Sequence, residues 1–268
     1  MRVSGLIGVV HLQPMPGDPG HGGRGFGAVE ERALSDAEAL VTGGVDGLLI
    51  ENFGSVPFAK GTEGERLPPH QVAIVALLVR ECRKRFDVPI GVNCLRNDAM
   101  SALGVAAAAG GDFVRVNVHT GAYVTDQGLI EGEAHKTLRY RQSLGAADVA
   151  ILADVLVKHA VPLAPLSPES ATRDSVVRGL ADGVIVTGEA TGAAVDPELL
   201  RRVRGAADGR PVLIGSGLTP ENASLLAPLA DGAIVGTSLK RDGDVSNPVD
   251  VARVRALVDA VARRFAAP

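Results

Sequence analysis

The feature that most restricts this chain is the regular alternation of short β-rich runs with longer helix-like stretches. Eight runs dense in Val, Ile and Leu occupy residues 6–12, 47–52, 89–95, 113–119, 149–155, 183–188, 211–217 and 232–239. The stretches 29–41, 69–86, 99–109, 131–144, 168–180, 197–203, 220–229 and 248–265 carry helical patterning. Pro168, Pro197, Pro220 and Pro248 stand at or near the first turn of the last four, where a helix has no use for the missing N–H. Eight βα units in 268 residues match the arithmetic of a single-domain (β/α)8 TIM barrel of the α/β class. A doubly wound open sheet has the same period and is the competing arrangement; the count of eight favours closure.

In a parallel barrel, alternate side chains point into the interior and chemistry collects at the C-terminal ends of the strands. The fourth run separates cleanly on this rule. Val114, Val116 and Val118 share one face, so Arg115, Asn117 and His119 are expected to point inward. Buried polar groups are costly unless partnered, so this row predicts either a ligand site or an internal ion pair of Arg115 with Glu51 or Asp154. His11, Glu51, Asn52, Asn93, Asp154 and Thr187 close neighbouring runs and extend the row into a polar ring. Glu51 and Asp154 are the candidate acid–base groups, with Asp126 and His159 on loops. Asn93, Asn117 and Arg115 are candidates to orient the reacting end of a substrate. Lys158 lies past the fifth run rather than on it. It is read as a binding charge, and a desolvated amine for Schiff-base chemistry is not expected.

The last two runs end in glycine-rich turns: residues 214–222 (IGSGLTPEN) and 235–240 (VGTSLK). Gly215, Ser216 and Gly217, with Gly236, Thr237 and Ser238, offer backbone N–H groups and hydroxyls at the place where barrels often hold phosphate. Lys240 adds a nearby positive charge. Thr187 and Gly188 open a further small-residue turn, 187–192 (TGEATG), read as a lid, a second anion nest or a static turn. The segment 20–25 (GHGGRG) fits G-x-G-x-x-G by letter. It follows prolines rather than a strand, so it is read as a loop over the barrel mouth.

Composition narrows the function classes. Lys+Arg 27 against Asp+Glu 31 gives a net charge of −4, and aromatics are only 3%, which removes the electrostatic and stacking signatures of nucleic-acid binding. No apolar run approaches a bilayer span, so membrane insertion is not expected. With Cys82 and Cys94 as the two cysteines, no disulfide framework is available, which suits a reducing cytoplasm. Both read as inert thiols. No cofactor is expected. His11, Glu51, Asp154 and His159 form a conceivable divalent-cation set without any recognisable ligand spacing. The expected partner is a small phosphorylated ligand, and assembly as a homo-oligomer is compatible with the sequence.

With these residues in view, the chain resembles the BtpA/SgcQ family almost end to end. The resemblance is carried by residues 8–17 (GVVHLQPMPG), 46–54 (DGLLIENFG), 92–98 (VNCLRND), 113–117 (FVRVN), 124–132 (VTDQGLIEG), 138–141 (LRYR), 153–160 (ADVLVKHA) and both glycine turns. It implies a TIM barrel. It also implies two functions: the family is named for a photosystem I biogenesis factor, yet relatives stand beside sugar-metabolism genes. Ser55 replaces the Asp expected after Asn-Phe-Gly, while Cys94 and His119 replace apolar residues. Three readings follow: an enzyme of sugar or nucleotide-derived phosphates, an assembly factor of the photosystem I type, and a flavin mononucleotide barrel.

Overall fold

In the computed structural model, residues 3–265 are described apart from 24, 189–191 and 263. The barrel strands are β1 (Gly5–His11), β2 (Gly47–Glu51), β3 (Ile90–Asn93), β4 (Phe113–Val116), β7 (Ala150–Val155), β9 (Gly183–Val186), β10 (Val212–Ile214) and β11 (Gly232–Val235). They close into a parallel ring in the order β1-β11-β10-β9-β7-β4-β3-β2. The open-sheet alternative is excluded. A second, three-stranded antiparallel sheet was not anticipated. It is made by β5 (Ala122–Thr125), β6 (Gly128–Glu131) and β8 (Ala160–Pro162). Residue 131 therefore belongs to a strand rather than to the start of a helix.

Helices α1 (Phe26–Gly43), α2 (Pro69–Arg85), α3 (Ala99–Ala109), α4 (Ala134–Ser143), α5 (Pro168–Arg173), α6 (Pro197–Ala206), α7 (Ala223–Leu226) and α8 (Val251–Val261) surround the ring. Their boundaries have local causes. Asp98, Ser167, Asp196 and Asp250 accept a backbone N–H in the first turn of α3, α5, α6 and α8, satisfying donors that a helix start leaves open. Gly44, at φ 98°, ends α1 in the left-handed region that only glycine enters freely.

Period-two alternation splits the strand side chains into two cores. Leu6, Val10, Leu48, Ile50, Val92, Val114, Val184 and Val235 pack outward under the helices. Ile7, Val9, Leu49, Phe113, Leu152, Ile185, Leu213 and Ile234 fill the interior. One more inward step along each strand reaches His11, Glu51, Asn93, Arg115, Asp154, Thr187, Gly215 and Gly236. The polar ring is thus the layer above an apolar plug. Phe113 supplies most bulk to that plug and occupies the space above Gly91: a Cβ there would lie 2.2 Å from its ring. Gly91→Ala is expected to lower the unfolding free energy by about 1–3 kcal/mol in urea denaturation, and adding Phe113→Leu should recover part of it. Unchanged stability in the single variant would contradict this packing.

Candidate functional site

The charged centre of the mouth is an ion pair. Arg115 donates from Nε and Nη2 to both carboxylate oxygens of Asp154, at 3.0 and 2.9 Å. Asn117 Nδ2 adds a third donor to Asp154 at 3.0 Å. Because the carboxylate only accepts, the amide orientation of Asn117 is fixed, and its Oδ1 is left buried with no partner among the described residues. Asp154 lines neither cavity described below. Three hydrogen bonds make it an anchor for Arg115 and Asn117. Asn93 likewise lies beneath the mouth, donating to Glu51 Oε2 at 2.7 Å.

Two cavities open here, of about 270 and 370 Å³, and they share Glu51, Phe53, Arg115 and Lys158 in their walls. The first runs from His11 to the turns after β10 and β11, touching Gly215, Ser216, Gly217, Gly236, Thr237 and Ser238. The second runs under Val56 and Phe58 to Arg96, Asn117, Asp126 and His159.

The glycines of the two turns are demanded by their neighbours. A Cβ on Gly217, at φ 70°, would lie 2.1 Å from the carbonyl oxygen of Ala193, and one on Gly236 would lie 2.4 Å from the His11 ring. Two of the expected hydroxyl donors are engaged. Ser216 Oγ accepts from Gly188 N–H, and Ser238 Oγ donates to Leu218 O at 3.0 Å. Among the described residues, the N–H groups of Gly217, Thr237 and Ser238 take no acceptor. Gly217, Thr237 and Ser238 all line the first cavity. Asn222, read as an idle sequon, shapes the turn by donating to Gly217 O at 2.8 Å.

Lys240 does not supply the charge expected beside these turns. It is 1% exposed and donates to Asp36 at 2.7 Å. The cation there is Arg253, which lines the cavity and donates from Nε to Ser238 O at 2.9 Å. Nothing in the sequence distinguishes it from Arg255 beside it. His119 also departs from expectation: β4 ends at Val116, the alternation lapses, and the His119 ring turns away to Gly179 O at 2.8 Å.

Lys158, read as lying beyond the interior, lines both cavities. Its own N–H donates to Thr187 Oγ1 at 3.1 Å, and its carbonyl accepts from Arg96 Nη2 at 2.8 Å. Thr187 and Gly188 line neither cavity; they act behind the wall, and the remainder of the 187–192 turn falls largely outside the described residues. None of the described residues of the 12–25 loop lines either cavity. Asp18 ties it down, accepting from Met15 N–H, Ser55 Oγ and Gln71 Nε2. Ser55 thus serves that loop, where an Asp would repel Asp18. Among the described residues, no three His, Cys, Asp or Glu side chains come together to hold a metal ion.

Burial, reinforced by Lys240 and Lys158, lowers the His11 pKa to about 3. His11 is therefore neutral beside Glu51, 3.6 Å away. An unfolded His11 protonates near its ordinary 6.5 while the folded one resists down to about 3. Stability should be flat above the upper value and fall as pH drops through that window. His11→Gln should reduce this slope in urea titrations across pH, and an unchanged slope would contradict the neutral assignment. Arg115→Ala should cost roughly 3–5 kcal/mol by stranding Asp154, whereas a paired Arg115→Met, Asp154→Leu variant should recover most of it. A loss below about 1 kcal/mol in the single variant would mean the pair is solvated.

Comparison with known proteins places this geometry in a family. The BtpA family model matches residues 2–263. Photosystem I biogenesis protein BtpA of Synechocystis sp. is 49% identical over 257 residues, covering 96% of this chain and 88% of that one. The putative sgc region protein SgcQ of Escherichia coli is 31% identical, covering 96% and 93%. Among solved structures, thiamine phosphate pyrophosphorylase of Pyrococcus furiosus aligns with a TM-score of 0.59 at 16% identity, covering 96% of this chain and 95% of that one. N-(5'-phosphoribosyl)anthranilate isomerase of the same organism aligns at 0.55 and 13%, covering 96% and 98%. At those identities the structural likeness speaks for the barrel alone. The sequence match extends through both glycine turns and every strand that carries the polar ring, and the chain belongs to the BtpA family.

Proposed function

We propose that this protein is an enzyme of a small phosphorylated metabolite, a sugar phosphate or a nucleotide-derived phosphate. One observation carries the reading: a single cavity joins the open amides of Gly217, Thr237 and Ser238 to Glu51, Arg115 and Lys158. A phosphate in the nest accepts from those amides, with Arg253 adding charge, and leaves the rest of the ligand directed at the ring. There Glu51 is the general base, steadied by Asn93. Arg115 and Asn117, fixed by Asp154, bind oxygen atoms of the reacting end. The orphaned Asn117 Oδ1 calls for a donor, which a substrate hydroxyl supplies. Neutral His11 is a hydrogen-bonding group and a wall rather than a cation. Phosphate-handling names among the fold neighbours agree with this reading by analogy.

A second reading, assembly or stabilisation of photosystem I, is favoured by the 49% identity to the Synechocystis protein. It leaves the cavity and the unsatisfied Asn117 oxygen without a role. No described helix is long and apolar enough to cross a membrane, and both cysteines are unbonded and buried, as suits action in the cytoplasm.

A thermal-shift series with inorganic phosphate and ribose 5-phosphate tests the nest. At a hundredfold excess over Kd, stabilisation of about 2.7 kcal/mol is expected, a rise in Tm of roughly 5–10 °C for a chain of this size. Thr237→Asp, which adds no atoms at the tightly packed glycines, should abolish the shift, and Arg253→Ala should reduce it. Equal shifts in Thr237→Asp and the parent would remove the phosphate from this place. Once a substrate is found, Glu51→Gln should keep the ligand shift and lose turnover by about 100-fold or more; full turnover would take Glu51 out of the chemistry.

A further inference from the structure

The barrel mouth contains an amine for which the acid–base reading has no use. Lys158 stands at the junction of both cavities, and among the described residues its Nζ has no carboxylate or other acceptor. The carboxylates nearby attract its charge but take their hydrogen bonds from other groups, Asp154 from Arg115 and Asn117 and Glu51 Oε2 from Asn93. Its backbone is held at both ends, by Thr187 Oγ1 on its N–H and by Arg96 on its carbonyl. Leu156 and His159 on either side adopt φ of 51° and 57°, a region that non-glycine residues enter at a cost. The chain is bent twice within four residues, and the bent segment presents this side chain to the cavities. A surface lysine needs none of that support.

From this placement we infer that Lys158 is a nucleophile, its Nζ adding to the carbonyl carbon of a phosphorylated aldehyde or ketone to form an imine. The substrate class rests on the phosphate reading given above; the amine assignment rests on Lys158 itself. In the step, the nitrogen lone pair forms the C–N bond as the carbonyl π pair moves to oxygen, which takes up a proton. The carbinolamine then loses one water, breaking C–O and leaving C=N. Glu51, in the wall of both cavities, carries the proton between nitrogen and departing oxygen. Nucleophilic addition requires the neutral amine. Burial, and after it the charge of Arg115, lowers the Lys158 pKa. The iminium so formed withdraws electrons from the adjacent carbon, which suits cleavage or proton removal there and disfavours simple phosphate hydrolysis.

Borohydride trapping tests the inference. The intact protein is incubated with dihydroxyacetone phosphate, reduced with sodium borohydride, digested and mapped by mass spectrometry. Hydride addition to C=N leaves a stable secondary amine on the modified lysine. The lysines are Lys60, Lys84, Lys136, Lys158 and Lys240, so the site of labelling is unambiguous. Labelling at Lys158 should exceed that at any other lysine by about tenfold or more, the margin expected for an addition oriented by binding. Inorganic phosphate should suppress it, and Lys158→Arg should lose it. Phosphate-dependent thermal stabilisation with no adduct on Lys158 would overturn the imine while leaving the nest intact. An adduct on Lys158 that forms equally from unphosphorylated dihydroxyacetone, in a protein that phosphate does not stabilise, would uphold the amine and remove the nest. Even labelling across all lysines would overturn the assignment.

Discussion

The fork between Arg115 and Asp154 is the interaction on which the site depends. It sits on the apolar plug of the barrel, where neither charge is stable alone. By pairing, the two groups set the chemistry above them. Asp154 is paired beneath the cavities, Arg115 is held still in the walls of both, and the Asn117 amide is forced into one orientation. On the proposed reading, the groups left to react are Glu51 and Lys158. Of the two carboxylates expected at the mouth, Glu51 lines both cavities, as does the amine of Lys158, and Asp154 lines neither.

The same economy applies to the glycine turns. Gly215, Gly217 and Gly236 are required by close approaches of Ile185, Ala193 and His11, so their presence alone is not evidence of a ligand. What marks the place is the pair of turns held together by Asn222, Ser238 and Arg253, with amides left open toward the cavity. The turns are fixed by close packing, and among the described residues the N–H groups of Gly217, Thr237 and Ser238 are unspent. These are separate properties, and only the second bears on function.

Much of the fold was legible because period-two alternation and helix-start signals are local. Eight strands were located, and the inward direction of Arg115 and Asn117 followed from three alternating valines. Legibility failed where contacts between distant residues decide. His119 obeys the alternation on paper, but the strand stops three residues earlier. Lys240 lies beside the phosphate turn in sequence, yet its charge is absorbed by Asp36, more than two hundred positions away. Lys158 was placed outside the interior because it follows β7; two left-handed residues and clamps from Thr187 and Arg96 bring it back. The small sheet of β5, β6 and β8 escaped notice because its strands span three or four residues each.

The likeness to a photosystem I biogenesis protein and to SgcQ spans nearly the whole chain, and the proposed reading is one that very different hosts could share. The most direct measurement is a crystal structure of the protein soaked with ribulose 5-phosphate. The account predicts phosphorus density between the amides of Gly217 and Thr237, with the sugar chain extending to Glu51 and Lys158. Density for the ligand at any other place, with the nest filled by water, would contradict it.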